Sequence, residues 1–406
     1  MKKLLTVGLL VFLFIFTFAD ALKFLPKDYS MLIYIPNVAK AYDAFKATPI
    51  GQTLLSDTGV GLESLVRGIL EQQLLSMKYT MSDFDIFMGE MLLASNKDGN
   101  VTLVLGPVKN TTKMKKILES FLEADTMKKV KFIENYFVLS DVQPSGGKVP
   151  SSLQSMLKGN LGVTYTNITD GKLSFEGYGY IKVEGNGLSF YEKIDAMTLE
   201  AKSALKELQS KKPIDIFSDK NIGGDFLMFV NREIPTALKK STLDAITSLL
   251  NLTNIQTTGT MYACADIGSV FSEVMNTNSQ DKNTNTNINV SAYSVVFGTG
   301  FKMPADVKKY ITIGTDKYGV ITADNGFESY ILIKSDRMIT YTVNPSKYKA
   351  GDTTFFKSVY DPKYFAGVFI NLEPLIYNML GKKVKSSAMF VSYVEGESII
   401  QKGMIK

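Results

Sequence analysis

The sequence predicts an α+β protein, two tandem pseudo-repeats of antiparallel sheet with packed helices. Three observations predict it. A strand–asparagine–helix phrase occurs as MLIYIPNVAKAYDAF at 31–45 and returns as FLMFVNREIPTALKK at 226–240 and AGVFINLEPLIYNML at 366–380. Matching landmarks keep a slowly drifting offset: 192 positions between Gly106 and Gly298, 194 between Asn37 and Asn231, and 204 between Asn167 and Asn371. Helical stretches are set among antiparallel hairpin patterns, which favours α+β over a doubly wound sheet. A drifting offset is what tandem duplication followed by loop insertion leaves behind, so the expected halves are 22–215 and 216–406. Chance recurrence of a common strand-cap-helix grammar is the competing reading.

Residues 1–21 read as a signal peptide. Lys2 and Lys3 form a basic n-region and LLTVGLLVFLFIFTF (4–18) an uncharged apolar core. Ala19 and Ala21, in Ala19-Asp20-Ala21, then occupy the two positions that a signal peptidase reads, so the mature chain is expected to start near Leu22. An uncleaved anchor competes, but an anchor wants about 20 apolar residues and this run is shorter. No cysteine follows the apolar core, so no lipid anchor is available, and no later stretch is apolar enough to span a bilayer.

The run Leu32-Ile33-Tyr34-Ile35 is continuously apolar, as a strand covered on both faces is. Asn37 follows as a helix cap, and Val38, Ala41, Tyr42 and Phe45 make the helix's apolar stripe. Asn231 and Asn371 are expected to cap the helices of the other two copies, the last with Leu372, Leu375, Ile376, Met379 and Leu380 on one face. A ligand site shared by the three asparagines is the sharper alternative. Helical spacing also runs through Leu62, Leu65, Val66, Ile69, Leu70 and Leu74, through Met114, Ile117, Leu118, Phe121 and Leu122, and through Met197, Ala201, Leu205 and Leu208. TLVLGPVKNTTKMKKIL (102–118) reads as strand, glycine, helix, and SVVFGTGFKMPADVKKYI (294–311) as the same plan.

Hairpins are predicted at 172–194, turning near Gly185–Gly187, at 318–343, turning at Asn325-Gly326, and at 387–405. NTNSQDKNTNTNINV (276–290) is a polar low-complexity tract that cannot bury apolar area, so it is expected to be a mobile surface loop. Its alternating Asp281, Asn283, Asn285 and Asn287 have calcium-loop spacing, but Thr286 and Ala292 stand where such a loop needs glycine and glutamate.

Composition excludes more than it selects. The net charge is +5, or +4 without Lys2, Lys3 and Asp20, and only Arg67, Arg232 and Arg337 offer a guanidinium, so nucleic acid is not an expected partner. Cys264 is the only cysteine, which rules out an internal disulfide. It sits in an alternating TMYACAD run with no adjacent cation and is expected to be buried and inert. With no histidine, imidazole-based triads and nearly all catalytic zinc sites are excluded, and no cofactor or metal site is expected. Ser-x-x-Lys occurs at Ser145, Ser155, Ser203 and Ser346 without its Lys-Thr-Gly and Ser-Asp-Asn companions. Glu90, Asp195, Asp266 and Glu373 lie beside apolar runs, but nothing pairs them by spacing as a glycosidase needs. No catalytic residue is assigned.

One stretch carries a resemblance. ADALKFLPKDYSMLIYIPNVAKAYDAFKATPIGQTLL (19–55) joins a signal sequence, a Leu-Pro-x-Asp element, an apolar strand and a helix ending in Thr-Pro-Ile-Gly. In this it resembles an uncharacterised class of exported bacterial proteins, a domain of unknown function. The resemblance implies an extracytoplasmic, non-catalytic protein and carries over no functional residues. The expected function is an exported cell-envelope protein, periplasmic or extracellular and not lipid-anchored, acting as a non-catalytic binding or structural scaffold. Its partner is expected to be an unknown envelope protein or an apolar ligand. The alternatives are a carboxylate-dependent hydrolase acting on cell-wall polymer and a lipid carrier.

Overall fold

The computed structural model describes residues 21–144, 146–147, 150–238, 256–268, 290–323, 326–381 and 383–406. Residues 1–20 of the stretch expected to be a signal peptide (1–21), Ala19 among them, and residues 276–289 of the polar tract (276–290) lie outside the described residues. The chain mixes helix and antiparallel sheet and divides into two compact units, Met1–Thr198 with Met404–Lys406 and Leu199–Gly403.

The first unit opens with a single helical turn, Ala21–Phe24, and β1 (Tyr29–Ile35). Helices α1 (Val38–Lys46), α2 (Pro49–Leu55) and α3 (Leu62–Ser76) precede the hairpin of β2 (Glu90–Asn96) and β3 (Val101–Gly106). Helices α4 (Thr111–Phe121) and α5 (Ala124–Lys128) lead into a second hairpin, β4 (Val130–Ile133) and β5 (Tyr136–Ser140). After α6 (Ser151–Met156) comes a meander of β6 (Gly162–Asp170), β7 (Leu173–Glu184) and β8 (Gly187–Ala196). All pairings are antiparallel, in the order β4-β5-β3-β2-β1-β6-β7-β8.

Alternation along β1 explains the core. Ile33 and Ile35 point to one face, where they meet Val38 of α1, Leu70 and Leu74 of α3, and Met114, Ile117 and Leu118 of α4. Leu32 and Tyr34 point to the other, where Ala21, Phe24, Leu25 and Leu153 of α6 cover them. Both faces of the strand are covered, which is why it reads as an unbroken apolar run.

The second unit begins with α7 (Leu199–Ser210), β9 (Phe226–Val230), β10 (Gln256–Asp266) and β11 (Ser291–Thr299). A four-strand meander follows: β12 (Lys309–Ile313), β13 (Asp316–Thr322), β14 (Glu328–Ile333) and β15 (Arg337–Tyr341). The chain ends in α8 (Thr354–Val359), β16 (Tyr364–Asn371), α9 (Glu373–Leu380), β17 (Ser387–Glu395) and β18 (Ser398–Ile405). Antiparallel pairing gives the order β12-β13-β14-β15-β11-β10-β9-β16-β17. One face buries a large aromatic core that includes Phe229, Tyr262, Tyr293, Tyr341, Phe356 and Phe369. The alternate positions Met261, Val296, Ile331 and Met338 form a smaller cluster.

Several local expectations need correction. Residues 300–311 form no helix: Pro304 interrupts the run, and Lys309–Ile313 alternates outward and half-buried positions as an outer strand does. Leu65 and Ile69 of α3 face solvent, and the stripe that meets the core is Leu70 and Leu74 with Val66 half-buried beside them. Met197 is exposed and precedes α7, whose buried face is Ala201, Ala204, Leu205 and Leu208. Thr-Pro-Ile-Gly does not end a helix. Thr48 caps α2 by accepting from the Gly51 amide at 3.0 Å, with Pro49 in the first turn where its missing N–H is no loss. Of the hairpin step at 325–326, Asn325 lies outside the described residues.

Candidate functional site

The repeated asparagines do not form one site. Asn37 caps α1, its Oδ1 accepting from the Lys40 amide at 2.6 Å. Asn110, which no repeat singled out, does the same for α4 by accepting from Lys113 at 2.9 Å. Asn371 accepts from the Glu373 amide at 3.2 Å in a tight turn before α9. Asn231 is no cap: it is fully buried, and its Nδ2 donates to the Tyr360 hydroxyl at 2.6 Å and the Tyr364 carbonyl at 2.7 Å. It therefore stitches β9 to the segment that enters β16. Asn167 lies exposed within β6.

The acids beside apolar runs fall two to each unit. Glu90 and Asp195 belong to the first unit, Asp266 and Glu373 to the second. Glu90 is buried and accepts from the Ala21 amide at 2.8 Å, the Tyr34 hydroxyl at 3.1 Å and the Tyr136 hydroxyl at 2.6 Å. Asp195 makes an exposed ion pair with Lys193 at 2.9 Å. Asp266 ends β10 in an exposed position and Glu373 opens α9. Cys264 is buried behind Tyr348, and burial raises its thiol above the ordinary range. Ser155, Ser203 and Ser346 are scattered over α6, α7 and a turn, while Ser145 lies outside the described residues. Among the described residues, no three acid or cysteine side chains gather where a metal could bind.

Among the described residues the second unit carries a groove, and a β-bulge makes it. Gln256 and Thr257 pair with Thr299 and Gly298, but the next registered pair is Met261 with Val296, so the extra residues of Thr258-Gly259-Thr260 are pushed out of the ladder. Threonine hydroxyls hold the bulge. Thr257 and Thr258 donate to the Phe297 carbonyl at 3.0 and 3.3 Å and accept from the Gly259 and Thr260 amides at 3.0 and 3.3 Å. Gly259 has φ +83°, and a Cβ there would lie 2.6 Å from Ile234 Cγ1, so both the backbone and the close approach require glycine. The Ile234 amide donates to the Thr258 carbonyl at 2.9 Å and draws the 231–234 segment onto the bulge.

The result is an open groove of about 300 Å³ lined by Lys212, Ile214, Glu233, Thr258, Thr260, Phe297, Gly298, Thr299 and Asp336. Ile214 and Phe297 supply apolar surface. The Arg337 guanidinium lies 4.9 Å from the Phe297 ring centre and forks onto Asp336 at 2.7–3.2 Å, holding that carboxyl below the usual range. Lys212 brings a cation to the rim, and Glu233 a carboxylate that shares Lys211 at 3.5 Å. Behind Phe297, whose ring lies 6.1 Å from that of Tyr262, is a polar knot within the core. There the Asp219 carboxylate accepts from the Tyr262 and Tyr293 hydroxyls at 2.6 and 2.5 Å. Apolar floor, threonine wall and charges of both signs suit a small polar group or one or two side chains of a partner. The volume is at the lower end for small-molecule sites.

Sequence reasoning missed this groove. Its one signal was the glycine inside the strand-like run QTTGTMYACAD, the mark of a bulge. No family model, curated protein or solved structure matches the chain.

Proposed function

We propose that the protein is an exported component of the cell envelope, periplasmic or extracellular, that serves as a non-catalytic binding scaffold built from two tandem α+β pseudo-repeats. Strand order is the observation that supports the two-repeat part of this reading. In the first unit the first strand is central, flanked by the second and the sixth, with the third, fifth and fourth strands outward on one side. In the second unit β9 is central, flanked by β10 and β16, with β11, β15 and β14 outward in the same way. The difference is one additional hairpin, β12–β13, at the outer edge. An insertion between the equivalents of β3 and β4 fits a duplication whose spacing drifts with loop growth.

Scaffolding is further supported by what the buried carboxylates do. Glu90 gathers three donors, and Asp225 accepts from the Ile267 and Gly268 amides at 2.7 and 2.6 Å. Both groups satisfy interior donors. Among the described residues no helix is long and apolar enough to cross a membrane. The groove at the Thr258–Thr260 bulge is the proposed contact for an envelope partner. Pull-down from envelope fractions with wild type and with a Lys212→Glu, Asp336→Lys double variant tests this. Wild type is expected to retain a specific partner that the charge-reversed protein loses. Equal capture by both would remove the groove from the binding role, and an exclusively cytoplasmic protein would remove export.

A further inference from the structure

The first unit packs a residue that the cleavage register suggested by Ala19-Asp20-Ala21 would remove. A cut after Ala21 would discard a residue the fold uses. Ala21 is completely buried against the cluster of Leu32, Tyr34, Leu92 and Tyr136. Its amide donates at 2.8 Å to Glu90, a carboxylate that is itself only 2% exposed. The residues after it are fastened in the same region. The Phe24 ring lies 5.4 Å from that of Tyr136, Leu25 is fully buried, the Gly147 amide donates to the Leu25 carbonyl at 2.7 Å, and Lys23 pairs with Glu134. Starting the chain at Leu22 would place a charged ammonium at the edge of an apolar cluster, leave a hole the size of an alanine, and remove one of the donors that hold a buried anion. Each of these is destabilising.

We propose that signal peptidase cuts between Ala19 and Asp20, so that the mature chain begins at Asp20 and keeps Ala21. The inference rests on the export reading above. The register is chemically available: Thr17-Phe18-Ala19 puts alanine at the position before the cut and a small hydroxyl residue two positions earlier. Hydrolysis of the Ala19–Asp20 peptide bond consumes one water and leaves a carboxylate on Ala19 and an ammonium on Asp20. Asp20 then serves as a polar first residue ahead of the buried one.

N-terminal sequencing and intact mass of the full-length protein, recovered after export from a bacterial host, decide between the registers. A mature chain starting Asp20-Ala21-Leu22 is expected. A chain starting at Leu22 overturns the inference while leaving export intact. A chain that keeps Met1 and stays in the cytoplasm overturns both. A second variant separates register from folding, because the peptidase acts during translocation. Ala21→Leu is expected to be processed as wild type is, since position 21 lies beyond the cut. Accumulation of the unprocessed Ala21→Leu precursor would show that the enzyme reads Ala21, and the inference would fall.

Discussion

On β8, Glu192 is buried where the Thr166 hydroxyl donates to it at 2.7 Å, and burial pushes its carboxyl above the ordinary range. A raised native value means that the folded state binds its proton more readily than the unfolded chain does. The group therefore loses stability as pH rises from the unfolded value of about 4.3 towards the raised native one. Glu192→Gln removes that penalty and keeps an amide oxygen able to accept from the Thr166 hydroxyl. The variant is expected to melt higher than wild type near pH 7, with the difference vanishing near pH 4; a Tm series across that range measures it. Glu90 behaves differently, since it holds three donors together. Glu90→Ala is expected to destabilise by about 3 kcal/mol by orphaning buried hydroxyls and an amide, read by denaturant titration. At Cys264, burial and a raised thiol both oppose reaction. A thiol reagent should label the unfolded chain and leave the native one unmodified. The burial of Cys264 was legible from the alternation of TMYACAD. The roles of Glu90 and Ala21 were not, because their partners lie 46 to 69 positions away along the chain.

Elements were legible where a single periodicity governs them. β1, α1 with its cap Asn37, α4, and the hairpin of β7 and β8 follow from apolar spacing, a capping side chain and turn glycines. The failures share a cause: spacing reports an amphipathic face without saying how much of that face meets a neighbour. Helix α3 shows it, with Leu74 fully buried and Leu65 more than half exposed on the same apolar-looking pattern. Leu74→Ala is expected to cost about 3 kcal/mol, whereas Leu65→Ala should stay within about 0.5 kcal/mol, as denaturant midpoints would register. The groove escaped notice because a bulge is a mismatch between two strands, and Gly259 marks its place in one strand without showing what the partner strand and the 231–234 segment bring to it. Gly259→Ala should cost about 2 kcal/mol, combining an unfavourable positive φ with a clash on Ile234. The same substitution should weaken whatever the groove retains.

At the scale of the molecule, each unit owns apolar clusters that cover both faces of its central strands. Separate cores of this kind unfold as separate cooperative events. Calorimetry is expected to resolve two transitions, with Leu74→Ala lowering one and Phe369→Ala the other. A single transition shifted by both substitutions would show that the units melt as one. The outer hairpin β12–β13 was not legible, because the start of its first strand falls within SVVFGTGFKMPADVKKYI, which reads as strand, glycine and helix.

The chain has no tryptophan, so its near-ultraviolet optics belong to tyrosine and phenylalanine. In the second unit Tyr293 lies 4.9 Å from Tyr341 and 5.8 Å from Tyr348, ring centre to ring centre, and its hydroxyl is bonded to Asp219. Rings fixed at such separations couple their transition dipoles and yield a strong dichroic signal that vanishes when tertiary packing is lost. The Asp219 knot thus gives this half of the polypeptide a built-in chromophore array, and loss of its ellipticity reports melting there without any engineered label.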